Sequence, residues 1–208
     1  MVRIILIRHG QTEWNQEERF RGRVDIPLDE VGLRQAQATA ERLAEYKVTA
    51  IYSSPLRRAY TTAEFVARRL NLPVTILDNL IDMSFGTWEG LSIKEAREQD
   101  GPLFDKWIKN PEGIRFPEGE SIEDVRERAA AALRDVISRH PDETVVLVSH
   151  RVICKLLLCE ALNIDSSHFW QLAQDTSAIN VLEVRDGGMV VTLLNDTCHL
   201  NELPASGG

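Results

Sequence analysis

Arg8-His9-Gly10 closes the apolar run Ile4-Ile5-Leu6-Ile7, and it is the first of three places where this chain sets reactive side chains at the end of an apolar stretch. The run is rich in β-branched residues, as suits a strand buried on both faces. Arg8 and His9 then fall at its C-terminal mouth, where open α/β sheets carry their sites, and Gly10 lets the backbone turn close to a ligand. An arginine offers a planar, permanently charged fork to phosphate or carboxylate. A neighbouring imidazole can attack or carry a proton. The second place is Ser53-Ser54-Pro55-Leu56-Arg57-Arg58, after the run Val48 to Ser53. Ser54 is placed to cap a helix with Pro55 at its first position, so Arg57 falls in the first turn beside free backbone N–H groups, an anion site. The third is His150-Arg151, after Thr144 to Ser149, the cleanest buried-strand pattern in the chain. Asp82, set between apolar residues, is a carboxylate whose pKa such surroundings would raise, the usual device for a general acid.

Each of these has an ordinary explanation when taken singly: a capping arginine, a turn histidine, a turn aspartate. Together they require one coincidence three times over, because a mostly parallel sheet brings all three strand ends to one edge. Histidines, arginines, a carboxylate and two helix starts on that edge suit a phosphoryl group, whose oxygens match guanidinium forks. A zinc site would need ligands free of Arg8, Arg57 and Arg151, which repel a dication. A serine hydrolase would need a G-x-S-x-G elbow, and the chain has none. No Walker lysine loop and no Asp-rich metal cradle occurs either, so neither a metal nor any other cofactor is expected.

The elements that must position these residues follow from periodicity and punctuation. Leu33, Ala36, Ala40 and Leu43 make a helical stripe behind the N-cap Asp29. A helix from Pro55 to about Leu70 stops at Asn71-Leu72-Pro73, and a short strand covers Val74 to Leu77. Residues 85–120 read as a lid insertion with helices at Ser92–Gln99 and Pro102–Lys109. Ser121 caps a helix to about Arg139, and another runs from His150 to about Leu162. Strands Ala178–Val184 and Met189–Leu194 flank the turn Asp186-Gly187-Gly188. The expected architecture is a three-layer α/β/α fold, a mostly parallel sheet with helices on both faces, in one domain over 1–203 with a flexible tail at 204–208. The loop Arg19-Phe20-Arg21-Gly22-Arg23 follows Arg8 closely enough to fold over the same pocket, making Arg21 and Gly22 candidate substrate contacts.

Composition narrows the partners. The chain has 208 residues, 43% hydrophobic and 27% charged, with a net charge of −8. So acidic a surface disfavours nucleic acid and anionic membranes. An anionic substrate must therefore be met by a local concentration of arginines. No run approaches membrane-span length and no leader precedes the first strand, so a cytoplasmic protein is expected. Cys154, Cys159 and Cys198 form no metal-ligand spacing and read as buried fillers in a reducing compartment.

Arg8-His9-Gly10-Gln11-Thr12-Glu13-Trp14-Asn15 resembles the signature of the histidine phosphatase superfamily, in its phosphoglycerate-mutase-like branch. The likeness continues through Pro27-Leu28, Gly32, Gln35-Ala36, Ser53 to Ala59, Thr62-Ala63, Phe85-Gly86, Trp88-Glu89-Gly90, Gly119-Glu120-Ser121 and Val148-Ser149-His150. It implies a nucleophilic His9 that becomes a phosphohistidine and is then hydrolysed without metal. Arg8, Arg57 and His150 would hold the phosphoryl oxygens, with Asn15 and Thr12 in the same pocket. Asp82 would be the proton donor, one methylene shorter than the family's usual glutamate, which moves its reach. Arg151 stands where the family often has glycine, either as a substrate contact or as a solvent-facing charge. The tail Asn195 to Leu200 resembles metal-independent phosphoserine phosphatases, so His199 either lines the site or packs under it. Phe85 stands where those enzymes tend to have a histidine.

The expected activity is hydrolysis of a small phosphorylated metabolite, with phosphoserine or a broad range of esters as substrates. Two alternatives stand beside it, a phosphoglycerate mutase and a non-catalytic phospho-ligand binder. The mutase is disfavoured because phosphoglycerate mutases of this family carry an arginine pair in the insertion, where this chain has only the isolated Arg97 and Arg115 as arginines. Assembly as a homodimer stays open.

Overall fold

The computed structural model of the chain describes residues 1–186 and 188–201. Gly187 of the expected hairpin turn and the tail at 204–208 lie outside the described residues. β1 (Val2–Arg8) is followed by a single helical turn, α1 (Glu13–Gln16), and then by α2 (Glu30–Leu43). β2 (Val48–Ser53), α3 (Arg57–Leu70) and β3 (Val74–Ile76) come next. α4 (Ile93–Gln99) and α5 (Gly101–Lys109) precede the long α6 (Ile122–Arg139). β4 (Thr144–Ser149) leads into α7 (Arg151–Leu162), and β5 (Ile179–Arg185) and β6 (Gly188–Asp196) complete the sheet.

The six strands lie in the order β3-β2-β4-β1-β5-β6. β3, β2, β4 and β1 are mutually parallel neighbours, while β5 pairs antiparallel with both β1 and β6. The three strands that end in reactive residues, β2, β4 and β1, are therefore adjacent and point the same way. β4 sits between the other two, so His150 is flanked by Ser54 on one side and His9 on the other.

Alternation along the strands divides the core in two. Val2, Ile4, Leu6, Val145 and Leu147 face α6 and α7, whereas Ile5, Ile7, Val146 and Val148 face α2 and α3. Such burial is worth roughly 1.5–3 kcal/mol for each large aliphatic side chain. Strands buried on both faces have no polar side to expose, and that is why they read as unbroken apolar runs. The loop after β1 lies tight on α2 because both partners are glycine at the crossing. A Cβ on Gly10 would come within 2.6 Å of the Gly32 carbonyl, and one on Gly32 within 2.1 Å of that of Gln11. This approach fixes the backbone that carries His9.

The 85–120 segment is packed rather than free. Trp88, Phe104, Trp107 and Phe116 are buried in the same core as α6 and α7, with rings meeting mostly edge to face. Among the described residues no helix is long and apolar enough to cross a membrane. Cys154 and Cys159 are buried as expected, but Cys198 is exposed.

Candidate active site

Position at the sheet edge sets the first three groups. His9 follows β1 and is buried, and its Nδ1 lies 2.6 Å from the Gly10 carbonyl oxygen. A carbonyl only accepts, so Nδ1 carries the proton and Nε2 keeps its lone pair. That Nε2 makes no hydrogen bond among the described residues. His150 is fully buried at the N-terminus of α7, with its ring centroid 5.2 Å from that of His9. Its Nε2 meets the Ser54 hydroxyl at 2.7 Å, and its Nδ1 faces Asp82 Oδ2 at 3.6 Å without a hydrogen-bond partner. Burial, more than any neighbouring cation, holds both imidazoles well below the usual histidine pKa; Arg58 is the next cause in each case. Both rings are therefore neutral at pH 7, and His9 is ready to attack.

The arginine expected at the end of β2 is a different one. Arg57 points to solvent and pairs with Asp25, its Nε 3.0 Å from Oδ2. Arg58 is fully buried and enters the site, donating to Asp82 Oδ2 at 3.2 Å and to the carbonyls of Gly22 and Val24 at 2.8 Å each. The helix begins later than the Ser-Pro signal suggests. Leu56 is the N-cap of α3, and Ser54 uses its hydroxyl to accept the Leu56 N–H and to meet His150. The signal that identifies Arg58 is present in the sequence. Buried Ala59, Thr62, Ala63, Val66 and Ala67 define the inward face, and one turn back from Thr62 lies Arg58. Arg57 belongs with exposed Arg68 on the outer side.

Behind this edge opens a cavity of about 440 Å³ lined by Arg8, Asn15, Arg21, Asp82, Phe85 and Arg151, with Ile93, Phe104, Trp107 and Ile108 contributed by the 85–120 segment. His9, His150 and Arg58 pack behind its wall, and Asp82 joins them to it. Arg8 donates to the Gln174 carbonyl at 2.6 Å. Burial, with Arg151 and Arg21 nearby, lowers the Arg8 pKa to about 9, and burial lowers that of Arg21 to about 10. Both remain charged at neutral pH. Asp82 does not stand among apolar groups alone: Oδ2 takes Arg58, and Oδ1 accepts the Met83 N–H at 3.0 Å.

Gly22 lines the cavity and also accepts from Arg58 through its carbonyl. Thr12 and His199 do not line it. Thr12 is buried and gives its hydroxyl to Asn15 Oδ1 at 2.8 Å, which leaves the Asn15 amide N–H groups for the cavity. His199 packs under α2, its Nε2 3.1 Å from Thr39 Oγ1. The tail leaves β6 at the same edge as the end of β1 and turns onto α2, so His199 packs near the strand mouths without lining the cavity.

Among the described residues, four buried nitrogens around the site have no partner: Arg8 Nε, Arg21 Nε, Arg58 Nε and His150 Nδ1. Buried donors left unmade are costly, so a cluster of them marks a place completed by an oxygen-rich ligand. Among the described residues no group of three His, Cys, Asp or Glu stands close enough to hold a metal.

The model of a family described as the histidine phosphatase superfamily (branch 1) matches residues 4–197. Phosphoserine phosphatase 1 of Hydrogenobacter thermophilus is 38% identical over 97% of this chain and 96% of its own. A metal-independent phosphoserine phosphatase of Arabidopsis thaliana is 31% identical over 98% of this chain and 85% of its own. Among solved structures, a phosphoserine phosphatase of Entamoeba histolytica in complex with phosphoserine superposes with a TM-score of 0.88 at 31% identity, covering 96% of this chain and 100% of that one.

Proposed function

The chain belongs to the histidine phosphatase superfamily, and from that premise we propose that it hydrolyses a small phosphomonoester through a phosphorylated His9. The observation that carries this reading is one neutral imidazole with an uncommitted Nε2, set among buried donors that lack acceptors. A phosphoryl group supplies those acceptors. Its non-bridging oxygens would take Arg8, Arg58, His150 Nδ1 and the Asn15 amide, and Arg21 would add positive charge from the cavity wall. His9 Nε2 attacks phosphorus, the P–N bond forms and the ester P–O bond breaks. Asp82, a carboxylate on Arg58 in the free protein, takes up a proton as the substrate's oxygens claim Arg58 and passes it to the departing alkoxide. Water then attacks the phosphohistidine and returns a proton to Asp82, releasing inorganic phosphate and restoring His9. Removing one such donor typically costs about 10²–10³ in rate.

A mutase must retain its intermediate under a cationic cover. Here Arg115 pairs with Asp124 at 2.6 Å, and Arg97 packs over the Phe104 ring at 4.8 Å. Neither lines the cavity, which favours transfer to water. Phosphoserine is the first substrate to test because relatives carry that name, with phosphoglycerate and sugar phosphates beside it. The 85–120 segment would act as the lid that sets this choice, presenting Phe85, Phe104 and Trp107 to the leaving group. Two buried free cysteines support a reducing, cytoplasmic setting. A homodimer belongs to the same proposal, with β6 as the longer of the two edge strands of the sheet.

The test is phosphate release from this panel with EDTA present, together with trapping of an acid-labile phosphoprotein. His9→Ala is expected to abolish both signals. Turnover that survives His9→Ala, or release that EDTA abolishes, overturns the reading.

A further inference from the structure

Arg151 is the first residue of α7, directly after His150, and it lines the cavity beside Val152 and Trp170. Its guanidinium makes no hydrogen bond and no ion pair among the described residues. Most other arginines of the chain do: Arg3, Arg23, Arg57, Arg115 and Arg128 each hold a carboxylate. Burial lowers the Arg151 pKa, and Asp82 and Glu18 act on it only at a distance. Half-buried at the cavity wall, Arg151 turns its N–H groups to the cavity with no protein acceptor, which leaves them for an anion that enters it.

The setting holds this side chain in place. The Arg151 guanidinium stands over the Trp170 ring, 5.5 Å from its centroid. That ring is pinned by its own N–H, which donates to the Trp107 carbonyl at 2.5 Å, and Lys155 from the next turn of α7 packs against it at 4.3 Å. Stacking of this kind immobilises the guanidinium plane and leaves its edge donors for a planar anion. Arg8 lies near enough for the two charges to depress one another, so Arg151 extends the cationic wall of the phosphoryl site instead of forming a separate one.

We propose that Arg151 is a specificity-determining residue that binds a carboxylate on the substrate, so that the ester hydrolysed carries a carboxylate on the same small molecule as its phosphate. This rests on the hydrolase reading above. A carboxylate matches the paired edge donors of a guanidinium, whereas an amine or a neutral hydroxyl leaves them without charge compensation.

The experiment compares kcat/KM within two pairs that differ in the carboxylate: phosphoserine against phosphoethanolamine, and 3-phosphoglycerate against glycerol 3-phosphate. Wild-type protein is expected to prefer the carboxylate-bearing member of each pair. Arg151→Gln should reduce that preference by about 10- to 100-fold, mostly through KM, as loss of one charged hydrogen bond to a ligand does. Arg151→Lys should restore part of it, since it returns the charge without the fork. Thermal unfolding of each variant confirms the fold. Equal kcat/KM within both pairs for the wild type, or an undiminished preference in folded Arg151→Gln, overturns the assignment of Arg151 and leaves the hydrolase reading intact. Release from a sugar phosphate but from none of these four compounds overturns the assignment of Arg151 alone, and release from no member of the whole panel overturns both.

Discussion

Two adjacent arginines at the start of α3 have opposite fates, and the difference is a matter of about 100° of helix. Arg57 lies on the outer side and spends its guanidinium on Asp25. Arg58 lies on the inner side, where it reaches Asp82 and lowers the proton affinity of both histidines. Their substitution effects should differ accordingly. Arg58→Ala is expected to cut kcat/KM by at least about 10²-fold, the usual cost of one preorganised donor at a charged transition state. Arg57→Ala removes an exposed ion pair worth about 0–1 kcal/mol and should change kcat/KM by less than about threefold. Steady-state kinetics of the two variants on one substrate decides the point, and equal losses would return Arg57 to the site.

At the scale of elements, three parallel strands deliver the reactive residues and the packed 85–120 segment lines one wall of the neighbouring cavity. That segment depends on a crowded crossing near Phe85. Gly86 has φ +54°, and a Cβ there would lie 1.9 Å from the Pro117 carbonyl oxygen, which also accepts the Thr87 N–H at 3.1 Å. Gly86→Ala therefore meets both backbone strain and a fixed oxygen, and is expected to cost about 1–3 kcal/mol of stability. KM should rise as well, because Phe104 and Trp107 ride on the same segment. Gly101→Ala supplies the control, since no atom lies within 4 Å of its added Cβ and its melting temperature should hardly move. A Gly86→Ala protein as stable as the control would mean that the 117–119 turn yields freely.

For the whole molecule, the concentration of cations around one cavity has a measurable thermodynamic consequence. Lys155 is buried beside Phe169 and Trp170 and forms no ion pair among the described residues. Burial first, then Arg151 and Arg8, push its pKa down from 10.5 to about 7. Between those values the unfolded chain binds a proton that the native chain has lost, so stability rises with pH there. The contribution from this group reaches about 1.4 kcal/mol per pH unit and disappears as pH falls toward 7 and below. Melting temperatures measured from pH 7 to 9 should climb in the wild type and climb less in Lys155→Met. Parallel curves for the two proteins would mean that Lys155 keeps its ordinary proton affinity.

The sequence by itself determined the strands that end in Arg8-His9, Ser54 and His150, because residues buried on both faces of a parallel sheet leave an unmistakable apolar record that stops where the site begins. It also determined the family, through motifs spread in order along nearly the whole chain. The inward facing of Arg58 could be read from its spacing to Ala59, Thr62 and Ala63, but only the tertiary structure showed that the helix starts two residues after the Ser-Pro signal and leaves Arg57 on the outer side. The same holds for Thr12 and His199. Their types suit a phosphate site, but a hydroxyl and a ring obey whichever neighbours the fold supplies, here Asn15 and Thr39. Residue type travels with the chain, whereas direction is fixed only when helices and strands have packed.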